Sequence, residues 1–239
     1  MNAHKQAPRL LGAAFLLVVL TSLVGGLLLD SVTGSGSVAD ILVNVANNVA
    51  LMRISILVDL LTSLGVIVLA ALLYTVLSRH NKIVALVALG WWLAEALSLA
   101  LSKTAAYGLI PLSQDFVRAG APDHATYQAL GTFLYDALVG MQGQTIHMFF
   151  YCAGGILWYS LFYRSRAIPR AISLFGLIAV SVASVGIVFQ FLGYDVPIFV
   201  YLPILPFEVI IGVWLLLKGI AEGSEASSHW RLPTEQREG

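Results

Sequence analysis

Charge is what this sequence has least of. Asp, Glu, Lys and Arg make up 11% of its 239 residues, against 59% hydrophobic, and the mean hydropathy is +0.86. A soluble domain carries about 25% charged residues, so the chain cannot cover a water-facing surface. That excludes a soluble globular enzyme, a disordered chain and a nucleic-acid binder built on a basic face. Thirteen basic residues balance thirteen acidic ones, so net charge names no partner. Cysteine is nearly absent. Cys152 is the single one, which rules out an intrachain disulfide and reads as a small buried hydrophobe. The spans hold one histidine, His147, so bis-histidine haem within one chain is excluded. A zinc site would have to recruit Asp59, Glu95 or Glu208 beside it. The Gly-x-Ser-x-Gly elbow, the P-loop and the dinucleotide fingerprint are missing. No catalytic residue, metal or cofactor is therefore assigned.

What is present is length in apolar runs. Residues 10–29, 54–77, 83–102, 141–162, 171–192 and 198–217 can each cross about 30 Å of hydrocarbon as a helix. Backbone groups must be paired in lipid, so runs of this length are predicted to be helical, and alternating barrel strands are absent. The first run is too long for a signal-peptide core and is followed by no Ala-x-Ala site, so it reads as a retained helix. The fold class is all-α: a polytopic membrane protein of six helices over residues 1–219, then a polar tail, 220–239.

Lysine and arginine set the expected orientation. Lys5, Arg9, Arg79, Lys82, Arg164, Arg166, Arg170, Lys218, Arg231 and Arg237 fall on one side. The other side holds Arg53, Lys103 and Arg118 against Asp30, Asp40, Asp115, Asp123, Asp136 and Asp195. Both termini are therefore expected in the cytoplasm. Aromatics mark span ends: Tyr74, Trp158, Tyr163 and Trp214 inside, Tyr107, Tyr194 and Tyr201 outside.

Two outer connections are long. Residues 31–53 begin with the linker Gly34-Ser35-Gly36 and continue with Ile41, Val45, Val49 and Met52 at helical spacing, which suits an interfacial helix. Residues 107–140 are expected to break at Pro111 and at Gly120-Ala121-Pro122. Beyond that break, Leu130, Phe133, Leu134, Ala137, Leu138 and Met141 share a face, suggesting a second interfacial helix that bends at Gly140 and Gly143. Gly176, Ala179, Ala183 and Gly186 form a small-residue packing seam. Tyr74, Arg79 and Ile83 recur in spacing as Tyr159, Arg164 and Ile168, a faint echo between two hairpins.

The chemistry lies in ionisable groups within the spans. Insertion scales put a charge at the bilayer centre at about 2.5–3.5 kcal/mol, so such groups face protein or water. Asp59, Glu95, His147 and Glu208 come from four different spans, all in the outer half or near the midplane. Asp59 and His147 lie roughly 8–9 Å from their outer ends, Glu95 roughly 10–15 Å and Glu208 roughly 15 Å. Gln144 and Gln190 add polar groups at similar or shallower levels, and Arg53, Lys103 and Asp136 stand at the outer rim. The expectation is one polar pocket, open outward and closed toward the cytoplasm. Structural alternatives stand beside it. Asp59 can pair with Arg53 or Lys103, His147 can be a hydrogen-bonded core imidazole, and Glu95 can bond a neighbouring helix. Pro203 and Pro206 before Glu208 can make a packing kink as readily as a site.

Three stretches carry a resemblance. They are Leu112-Ser113-Gln114-Asp115-Phe116-Val117-Arg118-Ala119-Gly120-Ala121-Pro122; Tyr163-Arg164-Ser165-Arg166-Ala167-Ile168-Pro169-Arg170 with Gly176-Leu177-Ile178; and Pro206-Phe207-Glu208 with Gly212, Trp214, Lys218 and Gly219. On these the chain, to Gly219, resembles a family of bacterial six-helix membrane proteins catalogued as domain of unknown function 4386. The resemblance implies a bacterial inner-membrane protein and no particular activity. It also implies an arginine three residues before Glu95, where this chain has Trp92, so an ion pair there is not carried over.

Three functions follow as expectations. The first is binding or transport of a small polar or cationic ligand, or protons, through the pocket. The second is a structural or regulatory partner of another membrane protein, with the carboxylates as helix glue, or a homodimer. The third is a membrane enzyme using His147 as base, for which no nucleophile is in evidence.

Overall fold

A computed structural model of the chain describes the backbone of residues 3–120, 124–138 and 141–220, and the side chains of 8–120, 125–138 and 145–220. These residues form eight α-helices and no strand: α1 (Ala3–Thr33), α2 (Val38–Asn47), α3 (Val49–Leu77), α4 (Lys82–Arg118), α5 (His124–Leu138), α6 (Met141–Ser165), α7 (Arg170–Phe191) and α8 (Ile204–Lys218). Six spans are long and apolar enough to cross a membrane: α1, α3, α4, α6, α7, and the stretch Ile198–Lys218 that ends in α8.

Those six helices close into a ring. Each packs on two neighbours in the order α1, α3, α4, α6, α7, α8 and back to α1. Lipid removes the hydrophobic drive for helix association, so close backbone approach has to supply dispersion contacts instead. The seam that closes the ring shows this. A Cβ on Gly12 of α1 would strike the Leu216 amide of α8 and come within 2.6 Å of the Gly212 carbonyl oxygen. On α7, Gly176, Ala179, Ala183 and Gly186 are buried, with Gly176 against the Phe207 ring of α8 and Gly186 against Val200 and Tyr201. The outer wall is a band of exposed leucine and valine, Leu20, Leu27, Leu57, Leu64, Leu97 and Val185 among them, as a lipid-facing surface requires.

Local chemistry sets the ends. Ser37 and Asp40 form a reciprocal capping box at the start of α2: the Asp40 amide donates to Ser37 Oγ at 3.3 Å, and the Ser37 amide to Asp40 Oδ2 at 2.9 Å. The Ser37 hydroxyl also donates to Asp40 Oδ2. These donors hold the Asp40 carboxyl below its usual range. Asn81 caps α4 by accepting from the Val84 amide at 3.0 Å. Gly120, at φ 55°, ends the long run of α4.

The expected break at Pro111 is absent. α4 runs through it for 37 residues, about 55 Å. Pro111 sits about 43 Å from the helix start, beyond the hydrocarbon thickness of about 30 Å, where the carbonyl it frees can find water. This protruding end of α4 reorganises both long connections. Ile41, Leu42 and Val45 of α2 and Leu138 of α5 are buried with Ala105, Ala106, Leu109 and Ile110 of α4 in a second apolar cluster. The face of α2 expected to lie in the interface is thus turned into protein. On α5 the expected face is split: Leu138 is buried and Leu134 and Ala137 pack against the same cluster, while Leu130 and Phe133 are exposed and Gly131 is buried. Gly140 lies outside the described residues.

Two further expectations are corrected. Trp158, expected to mark the membrane interface, is fully buried in the main core with Tyr159 and Phe162. The spacing echo does not extend to surroundings, because Ile83 is 77% exposed and Ile168 only 2%. Cys152 is a free, buried thiol.

Candidate functional site

A cavity of about 390 Å³ lies inside the ring. Asp59 from α3, Glu95 and Lys103 from α4, His147 and Tyr151 from α6, and Glu208 from α8 all line it, along with Gly26 and Leu29 of α1 and Leu138 of α5. The four ionisable residues singled out in the spans thus share one space. Lys103, expected at the rim, joins them, while Gln190, Arg53 and Asp136 do not. Gln190 accepts from Thr145 Oγ1 at 3.1 Å and is outside the lining. Arg53 and Asp136 are exposed and also outside it. The Gln144 side chain lies outside the described residues.

Lys103 is drawn further in than a rim position. Its side chain is 9% exposed, and Nζ lies 2.7 Å from Asp59 Oδ2. Helix length decides this: α4 continues well past Lys103, so the side chain is surrounded by protein. The Asp59 carboxylate in turn occupies space that α1 leaves open, since a Cβ on Gly25 would overlap Asp59 Oδ1.

Glu208 sits early in a short helix. The last span is not continuous: a 3₁₀ turn, Ile198–Val200, and the turn at Tyr201-Leu202-Pro203 precede α8. The prolines interrupt the ladder at this point. Glu208 faces across the ring interior to α6, where Tyr151 donates its hydroxyl to Glu208 Oε1 at 2.8 Å, and the Tyr151 and Tyr159 hydroxyls are 3.1 Å apart. Tyr151 is fixed by Trp92 of α4, whose Nε1 donates to the Tyr151 carbonyl at 3.1 Å and whose ring stacks on it at 5.8 Å between centroids. The Trp92 indole thus serves as a wall for Tyr151. Glu95, one turn along α4, is 6% exposed, and its Oε2 is buried without a hydrogen-bond partner. Among the described residues His147 Nδ1 is likewise buried and unpartnered, as Glu95 Oε2 is.

Beyond this level, toward the arginine-rich ends of the helices, the interior is packed. Leu69, Leu73, Tyr159, Phe162 and Phe207 are at most 2% exposed and fill the ring. Among the described residues no three His, Cys, Asp or Glu side chains converge closely enough to hold a metal ion. The cavity therefore offers three carboxyls, one ammonium already engaged by Asp59, an imidazole and the hydroxyls of Tyr151 and Tyr201.

Sequence reasoning missed Tyr151, Trp92 and Gly25. Tyr151 was within reach, being four residues after His147 and so on the same helical face. Nothing local distinguishes Gly25 from Gly26.

The ring of apolar spans with a polar interior defines a multi-pass helical membrane protein. The chain belongs to the family described as Domain of unknown function (DUF4386), whose model matches residues 10–219. No curated protein and no solved structure matches the chain.

Proposed function

We propose that the protein binds a small organic cation in this cavity, admits it from the side carrying α2 and α5, and releases it there or passes it on. The observation that carries the reading is the mismatch of charge. Among the described residues the one ammonium in the cavity is 2.7 Å from Asp59, Glu95 Oε2 has no partner and Glu208 is bonded only by Tyr151. Buried carboxyls without a cation are costly in hydrocarbon and mark functional sites. A volume of about 390 Å³ falls in the range of small-molecule sites, about 300–1,000 Å³. The paired tyrosine hydroxyls next to Glu208 would serve a proton-coupled version, because they form a short relay. The orientation, with both termini in the cytoplasm, is supported by the lysines and arginines gathered at one end of the ring, and a bacterial inner membrane is what the family resemblance implies.

The test is a thermal-unfolding titration of the full chain in detergent with n-butylammonium, against neutral butanol. The cation should raise the unfolding temperature saturably, and Glu208→Gln should weaken the response at least about tenfold, as loss of a charged hydrogen-bonding partner does. Equal responses to the cation and to butanol would end the reading. Uptake into reconstituted vesicles then separates binding from transport.

A second reading has its own support. The Asp59–Lys103 and Tyr151–Glu208 contacts tie α3 to α4 and α6 to α8, so the carboxylates can act as helix glue in a protein that partners another membrane protein or itself. Glu208→Gln would then lower stability while no cation produced a response.

A further inference from the structure

The opposite end of the ring carries a second recess that the cavity reading does not use. It has a volume of about 370 Å³ and lies between the start of α4 and the end of α6. Its polar wall contains His80, Ser160 and Arg164; its apolar wall contains Val84 and Leu157. Arg164, His80 and Ser160 make no side-chain hydrogen bond or ion pair with the described residues; the ion pairs there are Lys103–Asp59 and Arg118–Asp115, toward the other end of α4. Arg79, Lys82, Arg166 and Arg170 lie close in sequence to its lining residues, and among the described residues this end carries no Asp or Glu. Among the described residues the charge at this end is thus positive.

From the recess, the α4–α6 seam leads away as an apolar track. Trp91, seven residues on from Val84 and so on the same side of α4, stacks on Phe150 of α6 at 5.8 Å between ring centroids. A polar pocket at a helix end, continuous with an apolar seam, matches an amphiphile with a charged head and a hydrocarbon tail. Guanidinium offers paired donors in the geometry a phosphate accepts. Basic recesses between membrane helices are suited to phosphate headgroups.

We propose that this recess holds the phosphate headgroup of an anionic phospholipid, with an acyl chain lying along the α4–α6 seam. Arg164 is the principal contact to the phosphate, Ser160 and His80 donate beside it, and the other arginines and Lys82 of this end select for net negative charge. The site is independent of the cavity between Asp59 and Glu208.

Native mass spectrometry of the full chain, delipidated in detergent and titrated with phosphatidylglycerol or phosphatidylcholine, tests this. Wild type should retain phosphatidylglycerol in preference to phosphatidylcholine. Arg164→Gln removes one phosphate contact and should weaken retention roughly fivefold, and Ser160→Leu, which fills the recess, should weaken it further. Arg118→Gln, an exposed arginine at the far end of α4, should leave retention unchanged. Inorganic phosphate should not displace the lipid, because it lacks the chain that the seam receives. Equal retention of the two lipids, equal losses in Arg164→Gln and Arg118→Gln, or displacement by inorganic phosphate would each overturn the assignment, the last in favour of a free-anion site.

Discussion

Lys103 and Asp59 form the one close ion pair inside the ring among the described residues, 2.7 Å apart with side chains 9% and 13% exposed. The pair joins α4 to α3 at the level where the cavity begins, and it removes the single ammonium from competition with any cation that enters. Its neighbour across the interface is Gly25 of α1, whose missing side chain leaves room for the carboxylate.

Removing one partner strands the other charge in a low-dielectric site. Lys103→Met is expected to lower stability by up to about 3 kcal/mol, somewhat below the range for fully buried pairs because of the residual exposure. Asp59→Leu combined with Lys103→Met should recover most of that loss. Unfolding in mixed detergent micelles measures both variants, and a double mutant as unstable as the single one would show that the pair itself holds the helices.

Gly25→Ala should be destabilising where Gly26→Ala is not. A Cβ at Gly25 overlaps the Asp59 carboxylate, whereas a Cβ at Gly26 meets nothing within 4 Å. The first change forces the ion pair to move and is expected to cost about 1–3 kcal/mol; the second should stay within about 0.5 kcal/mol. The two unfolding midpoints, measured side by side, check the contrast.

Glu95→Gln separates the two functional readings. If Glu95 serves a ligand, its unpartnered carboxyl is a burden on the empty protein, so the amide should leave stability unchanged or raise it by up to about 2 kcal/mol while abolishing the response to n-butylammonium. Helix glue through Asp59–Lys103 and Tyr151–Glu208 leaves Glu95 out, so Glu95→Gln would then have no ligand response to lose.

The capping box of α2 gives a pH dependence at the surface. Ser37 holds the Asp40 carboxyl below its ordinary value of 3.8. A carboxyl depressed in the folded state contributes stability that is complete above its unfolded value and is lost as pH falls through the folded one. Amide exchange in α2 should therefore be slower in wild type than in Asp40→Ala near neutral pH, and the difference should shrink as the pH is taken below about 4. A difference that persists in acid would mean the hydroxyl cap alone holds the helix.

Span number was legible because a helix in lipid needs about 20 apolar residues, and runs such as 10–29 and 171–192 have no other way to pair their backbone. The end of α4 was not. Pro111 is a strong local signal against helix, overridden here because its position is far enough out for the freed carbonyl to be solvated. The face of α5 was legible only in part: Leu134, Ala137 and Leu138 turn to protein, but Leu130 and Phe133 at the same spacing do not, because Gly131 is the residue that lets α5 approach Val38 and Leu42 of α2. Trp158 looks like an interface aromatic from its place near a span end, and only the packing of α6 against the ring puts it in the core.

By itself the sequence determined that the chain spans a membrane six times, and that Asp59, Glu95, His147 and Glu208 must face away from lipid, because hydrocarbon solvates neither backbone nor charge. Tertiary structure alone decided that α1 meets α8 to close a ring, that Lys103 turns to Asp59, and that Tyr151 donates to Glu208. The reason is physical. In a membrane helix the lipid-facing and protein-facing sides are both apolar, so periodicity does not say which way a side chain points; contacts such as Gly12 against Gly212, made between residues far apart in the chain, settle it.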